Sequence, residues 1–140
     1  MRVVSLVPSL TLTLFDLGLD AASVVGRTPW CIHPKGEVEQ VRIVGGTKTP
    51  KQNRIEEAKP DLVVMDRDEN PKAIYDWCLS MGYDTFVCDV RRPADVPDML
   101  RALGRKIDRK KRAEHFALAI EQALRALPQG QHRTALPLIW

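Results

Sequence analysis

Val41 to Met65, VRIVGGTKTPKQNRIEEAKPDLVVM, decides the fold. It reads as strand, Gly-Gly loop, short helix, strand. Val41 to Val44 is a short apolar run with β-branched residues, and Gly45-Gly46 ends it. Thr49 suits a helix cap, Pro50 suits the first helical position because its missing N–H costs nothing there, and Gln52 is spaced to reach back as in a capping box. Pro60 stops the helix at Lys59, and Leu62-Val63-Val64-Met65 suits a strand buried on both faces. Two apolar strands joined by one helix form a βαβ crossover, which requires a parallel sheet. Such a sheet binds its ligands beyond the carboxyl ends of its strands, so the loops after the strands are the place to look for a site.

Outward from that unit the pattern continues. Val3 to Val7 is a strand ended by Pro8, and Ser9 is placed to cap a helix over Leu10 to Leu17 that Gly18 stops. Val24 to Arg27 is a second strand, followed by a loop from Thr28 to Gln40 containing Trp30, Cys31 and His33. Beyond Met65 come a polar loop at Asp66 to Asn70, a helix started by Pro71 and closed by Gly82, and a strand over Thr85 to Cys88. Asp89 to Arg92 is a further loop at a carboxyl end, and Ala94 to Leu103 is a short helix. Arg109 to Leu127 is the longest helix, with Ala113, Phe116, Ala117, Ile120, Ala123, Leu124 and Leu127 on one side. Thr134 to Trp140 reads as an orphan strand whose pairing partners must come from elsewhere. The fold class is therefore α/β: a Rossmann-like, three-layer lobe with a parallel sheet, then a long helix and that orphan strand.

The totals fit. A chain of 140 residues with 44% hydrophobic and 28% charged residues builds one globular domain. Its apolar stretches fall short of the roughly 20 residues of a membrane helix. Met1-Arg2 leads straight into Val3 without an export segment, so the chain as written is expected to be cytoplasmic, and periplasmic if its start lies further upstream. Cys31, Cys78 and Cys88 form no CxxC, and a formal charge of +3 is too mild to argue for nucleic acid.

Val3-Val4-Ser5-Leu6-Val7-Pro8-Ser9-Leu10-Thr11, Val25-Gly26-Arg27-Thr28, Val44-Gly45-Gly46-Thr47-Lys48 and Lys59-Pro60-Asp61-Leu62-Val63-Val64 occur in order and together resemble the helical-backbone metal-receptor superfamily. These are substrate-binding proteins of ABC importers for cobalamin, haem and ferric siderophores, and the cobalamin type is most similar. The resemblance implies two α/β lobes bridged by one long helix, with ligand in the cleft between them. On that pattern residues 1–105 are an amino-terminal lobe, 106–128 the bridging helix, and 129–140 the truncated start of a second lobe. The family usually has Glu where Leu12 stands and commonly at Asn53, where the acidic residue is implicated in docking onto a permease. Asn53 beside Lys51 and Arg54 makes that surface basic instead, which argues against such docking.

Ser9, Trp30, Gly45, Gly46, Thr47, Arg67 and Arg91 all follow strands and are the candidate ligand-binding residues. A corrin or haem ring can stack on Trp30 while polar groups hold its amides or carboxylates. Alternatively Trp30 covers the sheet edge and the glycines only make a turn. Cys31 and His33 are metal-ligand types, but a closed zinc site needs about four ligands and only these two are close in sequence. Gly45-Gly46-Thr47-Lys48 lacks phosphate-loop spacing. The basic run from Arg101 to Arg112 has no interleaved aromatics, which argues against single-stranded nucleic acid, and reads as a solvated junction whose cations suit a helix carboxyl end.

No nucleophile–base pair or paired carboxylates stand out, so the expected function is non-catalytic binding of a corrinoid or other metal chelate as ligand, with no intrinsic cofactor and weak affinity in this short form. The alternatives are a small α/β protein using Lys48 and the Gly-Gly loop for a phosphorylated ligand, or an interaction module self-associating through Thr134 to Trp140.

Overall fold

The computed structural model describes residues 1–128, so the reading of Thr134 to Trp140 as a strand lies outside the described residues. Strands β1 (Val3–Ser5), β2 (Val24–Gly26), β3 (Leu62–Asp66) and β4 (Asp84–Cys88) form one sheet in the order β2-β1-β3-β4, with every pairing parallel. Helices α1 (Pro8–Asp16), α2 (Gln52–Ala58), α3 (Lys72–Ser80), α4 (Val96–Lys106) and α5 (Lys110–Arg125) connect and cover it.

The central strands are buried on both faces, and the alternation of their side chains divides the core in two. Val3, Leu62 and Val64 point to a layer with Leu10, Leu14, Leu103 and Ala113, which belong to α1, α4 and α5. Val4, Val63 and Met65 point the other way, to Ile55 and Ala58 of α2 and Ile74 and Cys78 of α3. This is the three-layer α/β lobe that the sequence predicts.

Three local expectations are corrected. Val41 to Val44 is not a regular strand: it makes an isolated parallel bridge, Arg27 to Ile43, through Arg27 N–H to Arg42 O and Val44 N–H to Arg27 O, both 2.9 Å. It lies at the open edge beside β2, and Gly45, at φ +119°, turns the chain into an antiparallel bridge with Pro50. That bridge holds Lys51 extended through its N–H to Val44 O at 2.8 Å, so α2 cannot begin at Pro50. It begins at Gln52 with Lys51 as cap, and neither Thr49 nor Gln52 supplies a capping bond. In α1, Pro8 takes the first helical position and Val7 the cap, so Ser9 sits inside the first turn with no capping role.

The basic run is also divided differently. Arg105 and Lys106 occupy the last turn of α4, where cations suit the dipole, but Arg109 caps α5 and Lys110 to Arg112 fill its first turn, at the positive end. Helices α4 and α5 pack closely: a Cβ added to Gly104 would fall 2.3 Å from the Ala113 Cβ, and Arg109 N–H donates to Gly104 O at 2.8 Å. The longest helix spans 16 residues, with Ala113 and Ala117 buried and Leu118 exposed.

Candidate functional site

Strand order reverses between β1 and β3, so the connections from these neighbours leave to opposite faces and open a crevice at their carboxyl ends. Asn70 occupies that crevice and is buried. Its Nδ2 donates to Leu6 O at 3.2 Å, just beyond β1, and to Thr47 O at 2.9 Å in the Gly-Gly loop. Its Oδ1 accepts from Asp66 N–H at 2.8 Å. One amide thus fastens the loops that follow β1, the Val41–Val44 edge and β3. The sequence reading placed Asn70 only in a polar loop; its position directly before the helix-starting Pro71 was the available signal.

Charged groups form the outer rim. Arg67 Nη1 donates to Asp89 Oδ2 at 2.6 Å, and Arg91 bonds both Asp89 and Asp68, the latter at 2.9 Å. Two candidate residues are therefore brought together, by an aspartate between them that the sequence reading did not single out. The Arg67 guanidinium, with Arg91 behind it, holds the Asp89 carboxyl below the usual carboxylate range, and Asp89 in turn raises Arg67. Lys48 turns its amino group to Asp68 O at 2.7 Å and toward Glu69 at 3.8 Å, so it braces the same loop. A cleft of about 470 Å³ opens beside this rim, lined by Met65, Arg67, Asn70, Tyr75 and Val87 among others.

The remaining candidates stand apart from that network. Ser9 is exposed on α1, and its carbonyl accepts the Thr13 hydroxyl at 2.9 Å. Trp30 is 66% exposed, which leaves much of its ring available for stacking. Beneath its loop, buried Arg27 donates to the carbonyls of Val41, Thr28 and Cys31 at 3.1–3.2 Å and anchors the segment. Gly45 is buried and Gly46 and Thr47 half-buried, held by the Asn70 bond.

Cys31 and His33 do not form a metal pair. Cys31 is buried with its sulfur 3.1 Å from Thr11 Oγ1 and 3.2 Å from Thr28 Oγ1, whereas His33 is exposed. Thr11 also bonds the Ser5 hydroxyl at 2.8 Å, so Cys31 belongs to a small buried polar cluster. Among the described residues no group of three or more His, Cys, Asp or Glu could hold a metal ion, and no helix is long and apolar enough to cross a membrane.

The sequence model of the periplasmic binding protein family matches residues 3–131. The chain belongs to that family. A vitamin B12-binding protein of Pectobacterium carotovorum is 25% identical over 138 residues, covering 96% of this chain and 49% of that protein. The chain thus spans about half the length of the curated relative it matches. Among solved structures, the lobe is similar to the periplasmic vitamin B12 binding protein of Vibrio cholerae, with a TM-score of 0.79 at 21% identity over 89% of this chain and 48% of that one. It is equally similar to a periplasmic heme binding protein of Pseudomonas aeruginosa, with a TM-score of 0.79 at 22% identity over 89% and 44%. At such identities the likeness speaks for the fold.

Proposed function

We propose that this chain binds a metal chelate of the corrinoid, haem or siderophore class, as a non-catalytic lobe. Residues 1–105 form the lobe and α5 within residues 106–128 is the bridging helix, while residues 129–140 lie outside the described residues. The reading rests on family membership joined to one observation: at the reversal of strand order the Asn70-fastened crevice, the Arg67–Asp89–Arg91 rim and exposed Trp30 all lie at the carboxyl ends of the sheet. Trp30 supplies a stacking face, and Arg67 and Arg91 supply donors for a carboxylate or amide fringe. Ser9, Gly45, Gly46 and Thr47 border the same side as lining.

A single lobe offers one wall of a two-lobed cleft, so affinity for the isolated chain is low. Asn53 stands exposed beside Lys51 and Arg54, where the resemblance would place a carboxylate, and this disfavours docking to the basic rim of an ABC permease. Spectroscopic titration with aquocobalamin and with hemin tests the assignment. Saturable binding in the micromolar range or weaker, reduced by Trp30→Ala, is expected. A submicromolar endpoint would overturn the single-wall account, and binding indifferent to Trp30→Ala together with Arg67→Ala would overturn the rim.

A further inference from the structure

Every cation of the rim at the strand ends is matched to a carboxylate. Asp89 is shared between two of them: its Oδ2 accepts from Arg67 Nη1 at 2.6 Å, and its Oδ1 pairs with Arg91 Nε. Arg91 Nη1 also donates to Asp68 Oδ2 at 2.9 Å, and Lys48 Nζ lies 3.8 Å from Glu69 Oε2. Lys72, which lines the adjoining cleft, is bonded to Asp76 at 2.7 Å. Asp66 lines the same cleft and adds a further carboxylate at the end of β3. It accepts the N–H groups of Asp68 and Glu69 and takes part in no ion pair among the described residues. Lys48, Arg67 and Arg91 are therefore outnumbered by Asp66, Asp68, Glu69 and Asp89.

That balance treats two kinds of ligand fringe differently. A ligand carboxylate has to compete with Asp89 for the arginines, and displacing Asp89 leaves its tethered charge beside the incoming one. Arg67 and Arg91 hold the Asp89 carboxyl below its usual range, so protonation gives no relief near neutral pH. Exposed pairs are individually weak, so the effect comes from the sign of the local charge and not from the strength of one bond. An amide meets no such penalty. Arg67 uses only Nη1 toward Asp89, and Arg91 uses Nε and Nη1, so both guanidinium forks keep N–H groups for a carbonyl oxygen. Asp68 and Glu69 are exposed and accept N–H groups. An amide offers a partner to each kind of group without adding charge, whereas a carboxylate offers acceptors alone.

We propose that Asp89, with Asp68, sets the specificity of the rim, selecting a chelate fringed with uncharged amides over one fringed with carboxylates. This rests on the chelate-binding reading and narrows it. The test keeps the ring constant and changes only the fringe charge. Dicyanocobinamide carries amides around its corrin, and dicyanocobyrinic acid carries carboxylates on the same corrin. In spectroscopic titrations of the full chain at low ionic strength, the amide corrin is expected to bind about tenfold more tightly or better, with the gap narrowing as salt rises. Asp89→Asn should narrow the gap by tightening the carboxylate corrin, and Asp68→Asn should act in the same direction. Both side chains are exposed, and a thermal melt of each variant checks that it folds. Trp30→Ala should weaken both corrins alike and leave their ratio unchanged, because stacking does not depend on the fringe. Equal affinity for the two corrins in the native chain overturns the proposal while leaving chelate binding intact. A gap that survives unchanged in both aspartate variants also overturns it, assigning the selectivity to groups other than Asp89 and Asp68. Failure of both corrins to bind at millimolar concentration is a different result, and overturns the chelate reading together with the specificity built on it.

Discussion

Asn70 holds Thr47: its side-chain amide donates to the Thr47 carbonyl at 2.9 Å while also reaching Leu6 O and Asp66 N–H. Replacing this buried side chain with alanine strands two carbonyls and one N–H at the crevice. Asn70→Ala is expected to cost about 2–3 kcal/mol in urea unfolding, the scale for unsatisfied buried polar groups. Asn70→Asp should cost more, because a carboxylate would face the Leu6 and Thr47 carbonyls with no proton to donate. A loss within a few tenths of a kcal/mol for either variant would show that the loops are held by other means.

Gly104 is set by the close approach of Ala113. Alanine in place of a helical glycine ordinarily stabilises by up to about 1 kcal/mol. Here its Cβ would lie 2.3 Å from that of Ala113, and neither atom can rotate away. Overpacking costs of about 1–3 kcal/mol outweigh the propensity gain, so Gly104→Ala should destabilise the lobe. The swap Gly104→Ala with Ala113→Gly should recover part of the loss, and a double-mutant cycle measures the coupling. Additive effects would mean that the two helices simply move apart.

The sheet was legible in the sequence because buried parallel strands are local signals: Val3 to Val7 and Leu62 to Met65 carry their apolar runs wherever they stand. Val41 to Val44 has the same composition and forms only a bridge. What separates the cases is position: β3 has a partner on each side, whereas Val41 to Val44 lies at an open edge and is bent away at Gly45. Strand ends put Arg67 and Arg91 on one rim, but Asp89 between them could not be read, since the Arg67 partnership crosses adjacent strands 22 positions apart. Cys31 and His33 show the converse, with neighbours in sequence placed one inside and one outside. The basic run looked benign until the α4–α5 turn fell within it and put part of it at a helix amino end.

Arg101 clamps α4 to α5 through Glu114, at 2.7 and 3.0 Å, and Glu121 at 2.7 Å. The Arg101 hydrogen bond is the main reason the Glu114 carboxyl is held below the usual range, and Arg101 is raised in return. A depressed carboxylate pKa stabilises the fold fully above the ordinary glutamate range. That contribution is lost as pH falls through the lowered folded value. The melting-temperature difference between the native chain and Arg101→Met should therefore be largest near pH 7 and shrink at acid pH. It should also shrink in high salt, because the pair is partly exposed. A difference constant down to pH 2 would assign the effect of Arg101 to packing of its aliphatic stem.

Cys78 gives the clearest alkaline prediction. It is fully buried between α3 and the sheet, among Ile74, Val63 and Met65, and burial pushes its thiol up to about 11 from an ordinary value of 9.0. Between those values the unfolded chain releases the proton while the folded chain keeps it. The unfolded state then binds fewer protons, so stability falls as pH rises from about 9 toward 11. Cys78→Ala removes that titration and should flatten the alkaline arm of the stability curve, while lowering stability at neutral pH through the cavity left by the sulfur. Reactivity follows the same physics, since the thiolate is the attacking form. At pH 8, alkylation of Cys78 in the folded chain should be slow and should speed up sharply in urea, with labelling read by mass spectrometry. Rapid labelling of Cys78 without denaturant would mean that α3 opens from the sheet far more readily than its packing against Val63 and Met65 allows.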